Sequence, residues 1–240
     1  MLKVLIFLLM QKIFAETQPN AITSYGFLGV SLNQFILDGK RSDSGKDTTG
    51  GPQTTFTNDK HVKTSSPYGE IFTGYIFRIE NFGIGPEFFY SYGKFENKIS
   101  NTYVHNLVTT TAFDVSYKVS SQMGANLKLG YFLNSYFLYT LLGFQRQQIQ
   151  LRAKARQVDA LGDLLQFDFK GKKKSLSTFS FGFGVQKAIA ENYVVGIECK
   201  IANFPKKNFT WILSEPNNTT LTSSLKYKMR SVGLRLMYVF

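Results

Sequence analysis

The 240-residue chain has few of the residues that build metal sites and nucleophilic active sites. Its one cysteine, Cys199, excludes an intramolecular disulfide, and together with His61 and His105 it is too small a set for a Cys/His metal site. Both histidines lie in polar segments, away from any serine in a strand pattern, so no candidate nucleophile has an evident base. The sequence therefore predicts no metal, no other cofactor and no enzymatic activity.

Long apolar runs and acidic residues are also scarce. No apolar stretch reaches the roughly 18 residues that a transmembrane helix needs. The chain has 16 Asp and Glu against 28 Lys and Arg, which gives a formal charge of +12. Basic charge permits nucleic-acid binding, but 18% charged residues beside 23 Phe and 13 Tyr is an unusual composition for a DNA-binding domain. We therefore expect no nucleic-acid partner.

The N-terminal segment MLKVLIFLLMQKIFAET has the composition of an export signal. Lys3 precedes an apolar run over residues 4–10, and Ala15 stands at a suitable cleavage point. This order predicts a secretory signal peptide over residues 1–15, with the mature chain beginning at residue 16. The alternative is a short buried N-terminal helix.

The rest of the chain shows strand-like alternation. In the final stretch, SVGLRLMYVF, one face is wholly apolar, and it consists of Val232, Leu234, Leu236, Tyr238 and Phe240. Residues alternate between the two faces of a strand, so the other face carries Gly233 and Arg235. In the fourth strand the apolar face runs from Phe113 through Val119 to Tyr131. Strands of about 9–11 residues are long enough to cross a tilted path through a bilayer.

This two-faced pattern occurs eight times, with long polar segments and very short turns between the strands. Long loops are predicted at about 39–66, 96–111, 152–173 and 205–224, and three short turns at about 81–82, 134–135 and 191–192. Because short turns join antiparallel neighbours, all the long loops emerge on one side. The sorting predicts an all-β fold for residues 16–240: an eight-stranded antiparallel up-and-down transmembrane β-barrel.

A soluble barrel with an apolar interior is the alternative, and the mixed faces of the strands argue against it. It would place glycines on the solvent face, where they weaken strands without gain. With lipid outside, small residues make room in a crowded interior, and charges of both signs neutralise one another there. The predicted interior glycines are Gly124, Gly130, Gly182, Gly184, Gly196 and Gly233. The predicted interior charges are Glu70, Arg78, Glu87, Lys128, Glu198, Lys200 and Arg235.

Three stretches carry a resemblance to a known family: the hairpins LGYFLNSYFLYTLLGF and FGFGVQKAIAENYVVGIECKI, and the ending GLRLMYVF. With the signal peptide, they make the chain resemble the small eight-stranded outer-membrane barrels of bacteria, such as the OmpA transmembrane domain, OmpX and the neisserial opacity proteins. The resemblance covers about residues 21–240. It implies a location in the outer membrane of a Gram-negative bacterium, contact with outer-membrane lipid, and recognition of Tyr238 and Phe240 by the barrel-assembly machinery. The chain departs from OmpA at its end: because nothing follows the predicted barrel, we expect the peptidoglycan-binding domain of OmpA to be absent.

The predicted third and fourth loops hold the candidate binding residues: Lys170, Lys172, Lys173, Lys174, Phe209 and Trp211. Loop residues are often used for recognition, so these side chains suggest a surface for a host-cell protein or an acidic glycan. Alternatively, the lysines are solvated or meet anionic lipid headgroups, and Trp211 packs at the membrane interface. The expected function is a non-enzymatic barrel that displays loops, as an adhesin or surface antigen. The alternative is a structural envelope barrel with at most weak pore activity.

Overall fold

The structure, a computed structural model, describes residues 24–47, 54–105, 109–158, 164–213 and 219–240. The predicted signal peptide lies outside these residues. The described residues form eight β-strands and no helix. The strands are β1 (Tyr25–Asp47), β2 (Thr54–Ile79), β3 (Phe82–His105), β4 (Thr109–Leu133), β5 (Tyr136–Val158), β6 (Leu164–Ala188), β7 (Tyr193–Leu213) and β8 (Thr219–Val239).

The strands pair in chain order and close into a barrel. All neighbours are antiparallel, and β1 pairs with β8, with Phe27 opposite Val239. At the closure, the Gly26 and Phe240 backbones exchange N–H···O=C hydrogen bonds of 3.2 and 3.1 Å. The predicted fold class is therefore confirmed. Closure leaves no free strand edge within the lipid, where an edge would lack hydrogen-bond partners.

The connections at one end of the barrel are tight. Glu80 and Asn81 join β2 to β3, Asn134 and Ser135 join β4 to β5, and residues 189–192 join β6 to β7. Glu80 and Asn134 have φ angles of 54° and 53°. Asparagine adopts this left-handed region more readily than most residues, so Asn134 suits its turn.

An apolar belt surrounds the outside of the barrel next to these turns. Its members are large hydrophobic side chains that are largely exposed in the isolated chain, such as Phe179 at 79%, Leu32 at 66% and Leu234 at 65%. Contiguous exposed apolar surface of this extent marks contact with another apolar phase. The belt therefore faces the hydrocarbon of a bilayer, as the alternation of the strands predicts.

The strands continue through most of the segments predicted as loops. For example, β1 and β2 enter the predicted loop 39–66 as far as Asp47 and Thr54. β7 and β8 likewise enter the predicted loop 205–224 as far as Leu213 and Thr219. The predicted loop bounds are therefore too wide. Beyond the lipid, a strand can place polar residues on its outer face and still keep its backbone hydrogen bonds, so polar composition does not mark the end of a strand.

Beyond the belt the barrel wall divides into two sheets. Among the described residues, β2 and β3 pair only from Gly69–Tyr92 to Ile79–Phe82. β6 and β7 pair only from Ser180–Ala202 to Ala188–Val194. The other six pairings continue toward the far ends of the strands. We call the part beyond these limits the extension; its two four-stranded sheets are β2–β1–β8–β7 and β3–β4–β5–β6.

The two sheets of the extension enclose an apolar core. Val115, Tyr117, Ile149, Leu151 and Phe204 are each at most 1% exposed within it. The Phe204 ring stacks on Tyr227 with ring centroids 4.6 Å apart. The extension is therefore packed like the interior of a soluble domain.

Bulges explain why apolar residues change faces along a strand. The register of β4 shifts between Val119 and Ser121, so Val119 points inward at 6% exposure and Met123 points outward at 45%. The prediction that the apolar face of this strand runs unbroken from Phe113 to Tyr131 is wrong for Val115, Tyr117 and Val119. One extra residue in a bulge reverses the alternation that follows it, and a sequence pattern does not show where that residue lies.

Candidate functional site

Among the described residues, the barrel interior at the level of the belt contains six buried Lys, Arg and Glu side chains from five strands. Glu87 is 0% exposed and Lys128 is 1% exposed. We call this set the interior charge network, and its members are Glu70, Glu87, Lys128, Glu198, Lys200 and Arg235. Three carboxylates and three cations give it no net formal charge. Six of the seven predicted interior charges are thus brought together.

Direct ion pairs join these side chains. The Arg235 guanidinium donates hydrogen bonds to the carboxylates of both Glu87 and Glu198. The Lys128 Nζ lies 2.7 Å from Glu87 Oε2 and 3.7 Å from Glu198 Oε2. The Lys200 Nζ lies 2.9 Å from Glu198 Oε1 and 3.4 Å from Glu70 Oε1. Each buried charge therefore has an opposite charge beside it, which offsets the cost of removing it from water.

Neutral polar side chains complete the hydrogen bonding of the carboxylates. The Tyr139 hydroxyl donates to Glu198 Oε2 at 2.7 Å, and Asn126 Nδ2 donates to Glu87 Oε1 at 2.9 Å. Ser91 Oγ donates to Glu70 Oε2 at 2.9 Å. These partners were not predicted from the sequence, although Asn126 stands on the polar face of its strand. Alternation placed it inside but did not reveal which carboxylate it meets.

Aromatic rings lie against the three cations. The Arg235 guanidinium carbon is 3.6 Å from the centroid of the Phe72 ring. The Lys128 and Lys200 ammonium groups lie 4.5 Å from Tyr139 and 4.4 Å from Phe89. These rings face inward: Phe72 shares the inner face of β2 with Glu70, and Phe89 shares the inner face of β3 with Glu87. Cation–π contacts of this kind are stronger where water is excluded.

Glycines leave the space that these rings fill. A Cβ atom on Gly184 would stand 2.4 Å from Tyr139, and a Cβ atom on Gly124 would stand 2.8 Å from Phe89. The other predicted interior glycines are equally close to inner side chains or to neighbouring backbone. The prediction that small residues make room inside the barrel is therefore confirmed.

Arg78, the seventh predicted interior charge, lies elsewhere. It is half-buried beside the turn between β2 and β3. Its Nε donates to the Glu80 carbonyl oxygen at 2.7 Å, and its guanidinium lies 4.6 Å from the Phe132 ring. Arg78 lies near the turn end of β2, whereas Glu70 lies farther along the same strand, in the interior charge network. Alternation places both on the same face, so it wrongly assigned Arg78 to the network.

The candidate binding residues do not form one exposed surface. Phe209 and Trp211 are 0% and 3% exposed, because β7 continues past the belt and points both into the core of the extension. Their assignment to an exposed loop is therefore wrong. The register of β7 shifts between Phe204 and Lys207, which turns them inward.

The four candidate lysines lie in β6 rather than in a loop. Lys173 is exposed. Lys174 is half-buried on the inner side, where its Nζ donates to the Asn208 carbonyl oxygen at 2.7 Å and lies 5.2 Å from the Phe209 ring. It therefore bridges β6 to β7 where their backbones no longer pair. The side chains of Lys170 and Lys172 lie outside the described part.

Tyr238 and Phe240 stand at the closing seam. Their side chains face outward at 46% and 71% exposure, and Tyr238 meets Tyr193 edge-on at 5.5 Å. This position suits a lipid-interface girdle. Their role as a signal for the assembly machinery stays a prediction.

The described residues offer little for catalysis or metal binding. His61 is an outer-wall residue whose Nε2 lies 2.8 Å from Asp38 Oδ1, and the His105 side chain is outside the described part. Within the described ranges, no group of three or more His, Cys, Asp or Glu is placed to hold a metal ion. None of the described residues forms a helix long and apolar enough to cross a membrane.

No protein-family model and no curated protein matches the sequence. OprG, an outer membrane protein of Pseudomonas aeruginosa, aligns with a TM-score of 0.51 at 12% identity over 94% of this chain and 99% of that one. The Yersinia pestis protein Ail aligns at 0.30 and 12% identity over 90% of this chain and 99% of that one. The N-terminal barrel of P. aeruginosa OprF gives 0.32 and 9% identity over 84% and 97%.

Of these three alignments, the one with OprG has a TM-score above 0.5, and at 12% identity it shows the fold alone. The chain has the fold of the small bacterial outer-membrane β-barrels. The apolar belt and this fold together point to the bacterial outer membrane.

Proposed function

We propose that this protein is a non-enzymatic outer-membrane barrel that holds a recognition surface outside the cell, as an adhesin or surface antigen. In this proposal residues 1–15 direct export, and Tyr238 and Phe240 direct assembly. The short turns and both chain ends face the periplasm. The strand ends at the tip of the extension then face the environment or a host cell.

The packed core of the extension is the observation that carries the proposal. A barrel that only spans the membrane needs strands no longer than the belt. Here Trp211, Tyr227 and Leu151 are buried in a core beyond the belt. An apolar core that far from lipid makes a rigid platform. Rigid platforms support binding because little conformational entropy is lost when a ligand binds.

Lys170, Lys172 and Lys173 are the basic candidates toward the tip of β6 in this proposal. They suit an acidic glycan or an acidic patch on a host-cell protein. We leave Lys174 out of the set because it contacts the Asn208 carbonyl oxygen. Phe209 and Trp211 support the platform from inside instead of touching a ligand.

The alternative function is a structural barrel with at most weak pore activity. The interior charge network favours the structural part of this alternative over the pore part. Eight strands leave room for little more than side chains, and six charged side chains with inward-facing aromatics fill that room at the level of the belt.

A binding assay on bacteria that display the protein tests the proposal. The variant Lys170→Gln/Lys172→Gln/Lys173→Gln, which we call the tip variant, should bind host cells at least about fivefold less at moderate salt, where charge pairs beyond about 10 Å are screened. Raising the salt concentration should reduce binding by the unaltered protein and have less effect on the tip variant.

Lys187→Gln is the control, because Lys187 lies at the opposite end of β6 near the periplasmic turn. It should leave cell binding unchanged. Equal binding by the tip variant and the unaltered protein would remove the basic residues from the proposal. No binding by any form would favour the structural alternative.

A further inference from the structure

The two splits in the wall of the extension differ in how they are closed. At the split between β6 and β7, side chains replace the missing backbone pairing. Thr178 Oγ1 donates a hydrogen bond to the Asn203 carbonyl oxygen at 2.5 Å. Lys174 Nζ donates to the Asn208 carbonyl oxygen at 2.7 Å. Pro205 also stands on this edge of β7, and a proline on an edge hinders the addition of a further strand. This split is therefore protected against a foreign strand.

The split between β2 and β3 begins at Gly93. A Cβ atom on Gly93 would stand 2.4 Å from the Tyr68 Cβ, so the two strands still touch at this level. The register of β3 against β4 then shifts between Tyr92 and Phe95. Beyond this bulge β3 stays with β4, while β2 stays with β1 as far as Thr54. Since a bulge bends the strand that contains it, it explains why β3 leaves β2 here.

The edge of β2 along this split is long. No described strand pairs with residues 54–66 on the side away from β1. In an antiparallel ladder, every second residue directs its N–H and C=O groups to that side. Residues 54–66 contain no proline. An unpaired edge of this length is a template for the addition of another strand.

A small pocket lies at the base of the split. Its lining comes from both edges, through Ser66, Pro67 and Gly93, and from the interior, through Gln122 and Gln147. Gln122 is 3% exposed, and its Oε1 has no hydrogen-bond partner among the described residues. The pocket has a volume of about 20 Å³, which is enough for one small polar group. A donor that enters from the split would therefore satisfy this buried acceptor.

A second copy in the same membrane does not fit this edge. A symmetric pair of barrels in one membrane has its two-fold axis along the membrane normal, so the two β2 strands would run in the same sense. With a strand tilt of about 40°, they would cross at about 80°. Strands that cross at such an angle cannot form a ladder of hydrogen bonds, so the edge suits a chain from a different molecule.

The outer wall beside this edge is basic. Within the described part of β1, β2 and β8 beyond the belt, five basic side chains face outward: Lys40, Lys63, Lys226, Lys228 and Arg230. Two carboxylates, those of Asp38 and Asp59, face outward with them. Lys63 is exposed on β2 itself. Opposite charges at facing positions of a sheet attract each other, so a strand added beside β2 gains from acidic side chains on its outer face.

We propose that the β2 edge of the extension binds an extended acidic segment of a partner protein as an added strand. The segment runs antiparallel to β2, which puts its first residue at the base of the split, with a small polar side chain in the pocket. Backbone hydrogen bonds supply the affinity, and side chains at alternate positions supply the selectivity. The site is separate from the basic candidates in β6, so it does not depend on the proposed function.

A synthetic peptide tests the proposal on the unaltered protein. The probe has about nine residues, the length of a long strand, and it begins with serine and then alternates glutamate and valine. In the added strand, valine faces the apolar core and glutamate faces outward. Binding of the fluorescently labelled probe to purified protein in zwitterionic detergent is measured by fluorescence polarisation. The probe should bind, and the same peptide with glutamine in place of glutamate should bind more weakly.

Backbone methylation shows whether the probe binds as a strand. One further peptide carries N-methyl groups at its odd residues and another carries them at its even residues, so each lacks the N–H donors along one side of the strand. The peptide methylated on the side that faces β2 should lose binding at least about tenfold, because several backbone hydrogen bonds are lost together. The peptide methylated on the other side should bind within about twofold of the unmethylated probe.

Charge reversal locates the site on the protein. Lys63→Glu places a like charge beside the glutamates of the probe and should weaken binding about fivefold. Lys206→Glu is the matched control, because Lys206 is exposed on β7 at the other split. This control should bind within about twofold of the unaltered protein, since salt screens distant charges. Heat-dependent gel migration shows that each variant is folded; if Lys63→Glu does not fold, the two methylated peptides decide.

Equal binding of the two methylated peptides would overturn the proposal, because a purely electrostatic contact does not distinguish the two sides of a strand. An equal loss in the Lys63→Glu and Lys206→Glu variants would also overturn it. Self-association of the purified protein that Lys63→Glu abolishes would place a second copy on the edge and exclude the partner segment. The tip variant should bind the probe as the unaltered protein does, so a failed adhesion test counts against the proposed function and not against this site.

Discussion

Arg235 is the residue on which the barrel interior depends most. Its guanidinium bonds two carboxylates from different strands, Glu87 on β3 and Glu198 on β7, and lies over the Phe72 ring on β2. A planar guanidinium can make two such contacts at once and still stack on a ring, which an ammonium group cannot do. One side chain on β8 therefore ties together strands from across the barrel.

Arg235→Leu should destabilise the barrel by about 3–5 kcal/mol, because two buried carboxylates would lose a shared partner. The measurement is the free energy of unfolding in urea, in detergent micelles. Arg230→Gln on the same strand is the control; it changes an exposed cation, and it should cost no more than about 0.5 kcal/mol. A similar small loss for Arg235→Leu would show that Lys128 and Lys200 compensate for the missing guanidinium.

The strands extend well beyond the lipid, and this is the main finding at the level of elements. β7 runs from Tyr193 to Leu213 and carries inward side chains at two levels: Glu198 and Lys200 in the charge network, and Phe204 and Trp211 in the extension. The bulge between Phe204 and Lys207 keeps the apolar residues inside on both sides of it. Pro205 and Lys206 lie at this bulge, and both discourage pairing with foreign strands at an open edge.

The fluorescence of Trp211 measures the state of the extension, since Trp211 is the only tryptophan in the sequence. We expect the fluorescence emission of a buried indole and weak quenching by iodide. Trp211→Ala should destabilise the extension by about 3–5 kcal/mol, as truncation of a buried aromatic residue usually does, and should make the strand ends more sensitive to protease. Trp211→Phe is the conservative control. Strong iodide quenching in the unaltered protein would instead place Trp211 on the surface.

At the scale of the whole molecule, charge is sorted by position. The formal charge of the chain is +12, yet the six residues of the interior charge network sum to zero. The positive excess therefore lies outside that network, and part of it stands on the outer wall, where Lys40, Lys226 and Arg230 are exposed. Opposite charges are kept together where water is excluded, while like charges gather where water and anions are available.

The filled interior predicts little ion conduction by the whole barrel. In planar bilayers the protein should show far less conductance than a large trimeric porin measured as the positive control, because eight strands enclose mainly side chains. The heat-denatured protein is the negative control. Porin-level conductance would mean that the interior charge network opens in a membrane.

Much of the fold could be predicted from the sequence. Eight two-faced strands, tight turns on one side and glycines opposite apolar residues all follow from the period of a strand. Six of the seven interior charges were also predictable, because a charged residue on the face away from lipid can only point inward. The one misplaced charge, Arg78, has the right face but lies at the barrel end, and alternation carries no information on height.

The rest of the site could not be read from the pattern. Alternation assigns a face only until a bulge, so Val115, Tyr117 and Val119 were assigned to lipid although they pack inside the extension. Polar composition marks contact with water and not the end of a strand, which is why Phe209 and Trp211 were assigned to a loop. The neighbours across strands, such as Lys40 and Lys226, depend on register.

The sequence by itself determined that the chain builds a lipid-facing barrel with a charged interior, because those properties depend on local alternation and composition. Only the tertiary structure decided how far the strands continue, where the wall divides into two sheets, and which basic side chains stand together beside the belt. These features arise from pairing between residues that are distant in the chain, and the hydrogen bonds that fix such pairing are made by backbone groups that are the same in every sequence.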